Sequence, residues 1–410
     1  MFILLALLAV SQSKVYFHED FANKDKWIDS TSSGKTLGQF KLARGKWYGD
    51  ENNQGLQTSE DNKFYIAAAK LDEEFGNENK TTVIQYNIKF EQNIDCGGGY
   101  IKLIPKSAIE SEEKFTPDSN YNIMFGPDVC GSSKRTHVIM SYKGKNHLIK
   151  KEIKCESDEI SHLYTLIVKP DNTYVVKIDG VEKQKGSFAD DWDMLLPKEI
   201  EDPKISKPSD WVDEKEIDDP EDKKPEGWDD IPKTIVDPNA KKPEEWDDED
   251  DGAWEAPTIE NPAYKGEWKP KKIPNPAYKG EWVHPKIANP DYVYDANLYK
   301  FENFKYIGID VWQVKSGTIY DDILTTDNET EAEEQAKVIL ERNKKEKAMR
   351  DEIKEKERKE AEEKKKIEDA KKAEEEAKKK AEEEKKAEEE KKEEPKKEPT
   401  PEEIKNKEEL

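Results

Sequence analysis

Apolar and polar side chains alternate along much of the first half of the chain. Over residues 84–90 every second side chain is apolar, and polar side chains fill the positions between them. This period of two is typical of a strand with one buried face. Residues 164–169 and 174–178 flank the turn sequence Pro170-Asp171-Asn172 and predict a hairpin. Repeated short strands separated by turns predict a mainly β, antiparallel sandwich or barrel over residues 14–193.

Residues 194–293 replace this alternation with proline-rich repeats. Two sets of three tryptophans recur at spacings of 17 and 18, then 14, residues: Trp211, Trp228 and Trp246, followed by Trp254, Trp268 and Trp282. A proline-rich chain is stiff and loses little entropy on ordering. If three repeats run out and three run back, facing repeats form a hairpin arm without a globular core. The alternative is a disordered acidic linker, which rarely keeps tryptophan at fixed spacing.

The end of the chain has two parts. Residues 294–330 return to strand character, so the arm is an insertion in the sandwich. Residues 331–410 contain 30 acidic and 26 basic side chains, with Glu and Lys repeatedly four positions apart. Such pairs stabilise an exposed helix by a few tenths of a kcal/mol each, about 0.2–0.5. We predict a solvated, charged helix that frays by Pro395.

Composition narrows the class of protein. Charged residues make up 40% of the 410 residues and hydrophobic ones 33%, too polar for a single globule. The formal net charge of −24 argues against a nucleic-acid binder, because phosphate contacts need a basic surface. An acidic chain favours cationic partners, and metal ions are the simplest of these.

The two ends of the chain resemble targeting signals. Residues 1–13 form a short apolar run that ends in small residues, which predicts a secretory signal peptide; a buried first strand is the alternative. The last four residues, Lys-Glu-Glu-Leu, resemble a K-D-E-L retrieval signal, although chance is possible in so Lys/Glu-rich a tail. Together they predict the lumen of the endoplasmic reticulum. No later run approaches the roughly 18 apolar residues of a membrane span.

Three cysteines fit this oxidising compartment as one disulfide and one spare thiol. We predict the pair Cys96–Cys130, because each cysteine lies beside a glycine at the end of a strand-like run, and this leaves Cys155 free. The absence of a CxxC motif or a Cys/His cluster in the sequence argues against redox catalysis and structural zinc.

The alternation also locates a binding surface. From Tyr306 to Trp312 the apolar positions point inward, which places Asp310 and Trp312 on the outer face. Tyr100 and Lys102 share that orientation on another strand. Rings, a carboxylate and an ammonium suit a sugar, although an ordinary solvated face with aromatics explains the pattern equally well. Replacing Tyr100 or Asp310 is expected to cost binding and little stability.

A glycosidase on the same fold is less consistent with the sequence. It needs two carboxylates roughly 5 to 9.5 Å apart across a cleft. The clustered acids, such as Glu201-Asp202 and residues 247–251, lie in the arm, and no Gly-x-Ser-x-Gly, P-loop or HExxH motif is present. We expect a protein that is not an enzyme.

Four segments resemble one family closely. They are Cys96-Gly-Gly-Gly-Tyr-Ile-Lys-Leu, Tyr121-Asn-Ile-Met-Phe-Gly-Pro-Asp-Val-Cys130, His162-Leu-Tyr-Thr-Leu-Ile-Val and Trp312-Gln-Val-Lys-Ser-Gly-Thr-Ile. They are similar to the signature segments of the calreticulin and calnexin family, from about Val15 to Asp322. Three-plus-three repeats, no membrane span and a terminal retrieval signal resemble the calreticulin branch.

The resemblance implies a Ca²⁺-binding lectin chaperone with a legume-lectin-like, concanavalin-like sandwich. Such a protein binds monoglucosylated N-glycans on unfolded glycoproteins while they fold. It recruits a protein-disulfide-isomerase-type oxidoreductase through its arm. It also implies a monomer with no nucleic-acid partner. The alternative from another class is a luminal calcium-storage protein with secondary lectin activity, and a weaker one is a glycoside hydrolase.

The matching segments assign roles residue by residue. The glucose-binding residues implied are Tyr100, Lys102, Tyr121, Asp128 and Asp310, with Trp312 and the Cys96–Cys130 disulfide shaping the site. The calcium ligands implied are Asp20, Asp321 and backbone carbonyls near Asn52 and Gln54. The arm-tip residues implied for the oxidoreductase contact are Glu249, Asp251 and Trp254.

The tail departs from the family. Calreticulin tails are commonly acidic tracts that buffer calcium, whereas this tail alternates Lys with Glu. Carboxylates paired with lysine are poor calcium ligands, so we expect little calcium storage in residues 331–410.

Overall fold

The computed structural model describes residues 14–246 and 252–393, with side chains as far as residue 386. The expected signal peptide, the acidic residues 247–251 of the arm tip, Pro395 and the terminal Lys-Glu-Glu-Leu lie outside the described residues. The described chain divides into two compact units, one of residues before Pro197 and after Tyr292, the other from Pro197 to Tyr292.

The first unit consists of two eight-stranded antiparallel sheets. Its strands are β1 (Val15–Glu19), β2 (Trp27–Asp29), β3 (Phe40–Ala43), β4 (Gly55–Thr58), β5 (Lys63–Phe75), β6 (Thr82–Phe90), β7 (Cys96–Gly98), β8 (Ile101–Pro105), β9 (Ile123–Cys130), β10 (Ser133–Tyr142), β11 (Lys145–Leu148), β12 (Ser161–Val168), β13 (Thr173–Ile178), β14 (Val181–Ser187), β21 (Phe304–Gln313) and β22 (Thr318–Thr326). A 3-10 turn covers Glu112–Lys114, and the helices are α1 (Phe188–Asp191) and α2 (Glu329–Glu393).

The strand order explains how distant segments meet. The first sheet runs β14-β13-β12-β6-β22-β4-β3, with β1 beside β22. The second sheet runs β11-β10-β9-β7-β21-β5-β2, with β8 between β21 and β9. Strands β21 and β22 follow the second unit in the chain. Strand β22 nevertheless lies inside the first sheet, and β21 lies inside the second.

The core lies between the two sheets, and the predicted antiparallel sandwich is confirmed. Tyr86 and Ile88 of β6, and Ile307 and Ile309 of β21, are at most 2% exposed in one continuous apolar cluster. Each fully buried side chain of this size contributes roughly 1.5–3 kcal/mol to stability. The alternation identified these inward-facing positions correctly.

The outer face of β6 is buried as well, because helix α2 lies across it. Asn87 and Asn343 exchange amide hydrogen bonds of 3.0 and 2.9 Å. Lys89 pairs with Glu346 at 3.2 Å, and both side chains are at most 6% exposed. Polar residues of the strand thus contact polar residues of the helix. A period-two pattern cannot distinguish a strand face exposed to water from one that packs against a polar helix face.

The prediction of a solvated helix is wrong for the first part of α2. Ala332 and Ile339 are 3% and 4% exposed against the sheet. Residues 356–386 are exposed throughout, as expected. Within residues 14–246 and 252–393, every helix is too short or too polar to cross a lipid bilayer.

The second unit is built from three short antiparallel strand pairs. They are β15 (Glu199–Glu201) with β20 (Lys286–Ala288), β16 (Glu216–Asp218) with β19 (Lys272–Pro274), and β17 (Thr234–Val236) with β18 (Thr258–Glu260). At the centre of each pair, one isoleucine lies opposite another: Ile200 and Ile287, Ile217 and Ile273, Ile235 and Ile259. Each outgoing repeat therefore faces one returning repeat.

Tryptophan hydrogen bonds complete each pairing. The indole nitrogen of Trp211 donates to the carbonyl oxygen of Gly280 at 3.0 Å, and that of Trp228 donates to Gly266 at 2.9 Å. Both glycines have positive φ, 99° and 82°, a conformation that glycine adopts without strain. The recurrence of Trp and Lys-Gly-Glu-Trp along the chain thus has a local structural reason.

Candidate functional site

A buried ion pair lies at the centre of the predicted sugar-binding residues. Strands β8 and β21 are neighbours in the second sheet. Lys102 Nζ lies 2.7 Å from Asp310 Oδ2, and the two side chains are 6% and 10% exposed. The ammonium group also lies 4.9 Å from the centre of the Tyr121 ring. Lys102, Tyr121 and Asp310 therefore form one connected group.

The expectation that this face is open to water is wrong. A second apolar cluster covers part of it: Ile66, Ala68, Ile104, Ile109, Phe115 and Tyr306. The segment after β8 supplies Ile109 and Phe115, and Phe115 lies above Lys102 at 5.8 Å. The alternation placed Lys102 and Asp310 on the correct side of the sheet. Their burial depends on a loop that local periodicity does not reveal.

Tyr100 and Asp128 lie next to this pair. Burial is the main reason that the pKa of the Tyr100 phenol is raised, and the nearby Asp310 and Asp128 carboxylates add to it. Burial and Asp310 likewise raise the pKa of Tyr121. Both phenols thus stay protonated near neutral pH and can donate hydrogen bonds.

His137 is a neighbour that the sequence patterns did not single out. Its Nε2 lies 3.2 Å from Asp128 Oδ2, and its ring meets the Tyr100 ring edge-on at 6.2 Å between centroids. His137 is opposite Gly126 in the β9–β10 ladder. The period-two register of β10 would have placed it beside Asp128 once the pairing with β9 was known.

The remaining predicted residues frame the same region. Trp312 is 37% exposed and packs on Phe64 at 4.6 Å between ring centroids. Cys96 and Cys130 are joined by a disulfide and lie opposite each other where β7 meets β9. Cys155 is a free, buried cysteine, and burial raises the pKa of its thiol to about 11.

This arrangement has the chemistry of a sugar site. Tyr100 and Tyr121 supply partly exposed rings and hydroxyl donors, and Asp128 supplies a carboxylate that is 32% exposed. Aromatic faces offer apolar contact area, while fixed polar groups determine orientation and specificity. Because Lys102 holds Asp310 in place, the polar groups are organised before any ligand arrives.

The residues assigned to calcium also approach one another. Asn53 donates an amide hydrogen bond to Asp321 at 2.6 Å. Gln54 donates to the backbone oxygen of Phe21 at 2.9 Å. The loop before β4, the turn after Asp20 and strand β22 thus meet at one place.

Asp20 and Asn52 lie at the surface of this region. The side chains of Asp20 and Asn52 are exposed, and Asp20 Oδ1 accepts a local hydrogen bond from the backbone nitrogen of Ala22. Asn52 donates through its own backbone nitrogen to Asp50. In this part of the described chain their backbones shape the loops that adjoin Asp321.

The chemistry around Asp321 fits a hard cation. Asp321 and Asp322 are 5% and 8% exposed and both accept from the Arg342 guanidinium of helix α2. Burial, and then the neighbouring Asp322 carboxylate, raise the pKa of Asp321 well above its usual range. Carboxylate oxygens are donors that Ca²⁺ prefers, and in this structure the Arg342 guanidinium lies beside both of them. When bound, Ca²⁺ would supply positive charge to this pair.

Strained backbone marks the same place. Phe21 and Asp322 have φ values of 53° and 50°, which non-glycine residues rarely adopt. The register of β22 against β6 shifts between Asp321 and Leu324, so both aspartates lie at an irregularity of the strand. A cluster of three or more His, Cys, Asp or Glu side chains suited to a metal is not found among the described residues. The candidate site depends instead on the Asp321 and Asp322 carboxylates and on the predicted backbone carbonyls near Asn52 and Gln54.

The arm-tip prediction is only partly within the described residues. Trp254 is half-buried, and Trp246 donates to the carbonyl oxygen of Gly252 at 2.9 Å. Glu249 and Asp251 lie outside the described residues, so their role stays a prediction.

The fold is an antiparallel β-sandwich with an inserted repeat unit. The sequence model described as the Calreticulin family matches residues 16–251 and 250–325. The chain therefore belongs to the calreticulin family. Membership implies the general class of luminal, calcium-binding lectin chaperones.

Individual relatives agree with this assignment. Calreticulin of Entamoeba histolytica is 79% identical over 358 residues, which cover 87% of this chain and 92% of that protein. Calreticulin of Homo sapiens is 58% identical over 333 residues, 80% of this chain and 79% of that protein. Among solved structures, the T. cruzi calreticulin globular domain is similar with a TM-score of 0.59 and 30% identity, covering 83% of this chain and 99% of that one.

Proposed function

We propose that this chain binds glucose-terminated N-glycans on folding glycoproteins in the lumen of the endoplasmic reticulum. The observation that carries the proposal is the buried Lys102–Asp310 pair, with the Tyr121 ring 4.9 Å from the ammonium and Tyr100 close enough for Asp310 to raise its pKa. A sugar hydroxyl is well suited to bridge fixed donors and acceptors of this kind. We assign no catalytic step to these residues.

Two further roles complete the proposal. Ca²⁺ bound near Asp321 would stabilise the junction of β22 with the loop before β4, where Asn53 and Gln54 already connect the segments. The arm, with Trp254 near its tip, would bring an oxidoreductase to the bound glycoprotein. Two findings support the role of the arm: the chain belongs to the calreticulin family, and residues Pro197–Tyr292 form a compact unit of their own.

The Tyr100 hydroxyl gives a direct test of the sugar site. Tyr100→Phe keeps the ring and removes the donor, so binding of a monoglucosylated oligosaccharide should weaken at least about tenfold, the worth of one good hydrogen bond. Calorimetry on the full chain measures this.

Tyr142→Phe is the matched control. Tyr142 lies on β10 of the same sheet, but its hydroxyl donates to Asp295 at 2.8 Å rather than facing the site. The control should bind as the parent does. Unchanged binding in Tyr100→Phe, or equal loss in both variants, would remove the assignment of Tyr100.

A further inference from the structure

A groove of about 590 Å³ opens beside strand β10, between residues 132–138 and residues 148–155. Two backbone hydrogen bonds join its walls, from Ile149 to Val138 at 3.1 Å and from Thr136 to Ile153 at 2.6 Å. Residues 136–138 of β10 thus lie opposite residues 149–153. The longer segment bulges away from β10 between these two hydrogen bonds. The volume lies within the range of small-molecule sites.

The groove is basic in an acidic chain. Its lining includes one carboxylate, Glu152, and five cationic side chains: Lys134, Arg135, Lys150, Lys151 and Lys154. Lys150 and Lys151 have acidic neighbours, at 3.1 and 3.8 Å. In the described residues, Arg135 and Lys154 pair with no carboxylate.

The charges of Arg135 and Lys154 are only partly balanced within the protein, because Asp128, which lies opposite Arg135 in β9, contacts His137 instead. Arg135 and Lys154 are directly opposite each other in an antiparallel bridge. Like charges at such positions destabilise a sheet. The Arg135 guanidinium finds only the hydroxyl of Ser133, at 2.9 Å, among the described hydrogen-bond acceptors. An anion between the two side chains would remove the repulsion.

The groove adjoins the proposed sugar site. His137 lines the groove and also contacts Asp128 at 3.2 Å. Arg135 lies opposite Asp128 in the β9–β10 ladder. A ligand held at Asp128 therefore has a short path into the groove.

We propose that this groove binds a phosphate monoester carried on a sugar unit of the glycan ligand. A phosphate monoester carries about −1.5 to −2 charges near neutral pH and has three acceptor oxygens. It matches a guanidinium and the neighbouring ammonium groups better than a single carboxylate would. The proposal rests on the proposed glycan binding for its link between the two sites.

Calorimetry with three small probes tests the chemistry on the full chain. Mannose 6-phosphate should bind, inorganic phosphate should bind more weakly, and mannose should give no heat at the same concentration. Binding should weaken as ionic strength rises, because the cations are exposed. No binding of mannose 6-phosphate overturns the proposal. Inorganic phosphate binding as tightly as mannose 6-phosphate overturns its sugar-linked part.

A pair of double variants locates the site. Arg135→Gln/Lys154→Gln should lose at least about tenfold in mannose 6-phosphate affinity, as two charge-assisted contacts disappear. Lys41→Gln/Lys70→Gln makes the same charge change at exposed positions of β3 and β5 and should lose nothing. Equal loss in both double variants would overturn the groove as the site.

A neutral ligand separates the two proposals. The groove variant should bind a neutral monoglucosylated oligosaccharide as tightly as the parent, since Tyr100 and Asp310 are untouched; loss of this binding would overturn the groove as a separate subsite. If the parent itself fails to bind that oligosaccharide, the proposed glycan function falls. The mannose 6-phosphate results then still decide whether the groove binds sugar phosphates.

Discussion

Removing Asp310 should destabilise the sandwich strongly, in contrast to what its outward position in the strand pattern suggests. Asp310 is 7% exposed and its partner Lys102 is 5% exposed, so solvent does little to screen either charge. Asp310→Ala leaves the Lys102 ammonium buried without a carboxylate. Breaking a buried pair in this way costs about 3 to 5 kcal/mol.

Removing both partners should cost much less. Lys102→Met/Asp310→Leu leaves no unpaired charge, and replacing a whole buried pair by apolar groups is often neutral. An exposed pair on the same unit provides the control, since Lys106 and Glu74 lie 3.2 Å apart with 59% and 36% of their side chains exposed. Glu74→Ala should therefore cost less than about 1 kcal/mol.

Urea unfolding followed by near-ultraviolet circular dichroism measures these differences. The expected order of stability is parent, then Glu74→Ala and the double variant close together, and Asp310→Ala far below. If Asp310→Ala unfolds within about 1 kcal/mol of the parent, the pair behaves like a surface ion pair and the burial argument is refuted.

Three further outcomes follow from the structure. Burial lowers the pKa of His162, but hydrogen bonds to Asp158 and Asp179 outweigh this and raise it to about 9. The protonated His162 should thus contribute up to roughly 3 kcal/mol below pH 6.5 that is lost towards pH 9; a His162→Gln variant in urea unfolding should lack this pH dependence. Deleting residues 356–410 should remove little calcium in equilibrium dialysis at millimolar calcium, because exposed glutamates of the described part of this segment lie beside lysines one helical turn away; loss of more than half the bound calcium contradicts this. Replacing residues 197–290 by a short Gly/Ser linker should leave a folded, glycan-binding unit that no longer captures the oxidoreductase, and an unfolded product would show that the arm supports the core.

Local periodicity predicted correctly which face of a strand each side chain lies on. It did not predict which distant segments pack on the outer faces of the sheets. It placed Ile307 inside and Asp310 outside, and both positions are confirmed by the structure. It could not show that Phe115 or helix α2 would cover the outer faces, because those contacts join segments far apart in the chain. For the same reason Lys89, an apparently solvated residue, is paired in the interior with Glu346.

The candidate sites likewise include residues that the sequence predicted and residues that it did not. The quoted segments around Cys96 and Trp312 pointed to one region of one sheet, and the disulfide and Trp312 do lie there. His137 and Arg342 were not anticipated, because each becomes relevant only through pairing across strands or between helix and sheet. The irregularity at Asp322 depends on strand register and left no pattern in the sequence.

The central claim is that the sheet bearing Tyr100 and Asp310 recognises a terminal glucose on an N-glycan. The most direct measurement is calorimetric titration of the full chain, in calcium, with a monoglucosylated high-mannose oligosaccharide and with the same oligosaccharide after removal of glucose. We expect binding of the first oligosaccharide and no measurable binding of the second. Equal binding of the two, or binding of neither, would contradict it.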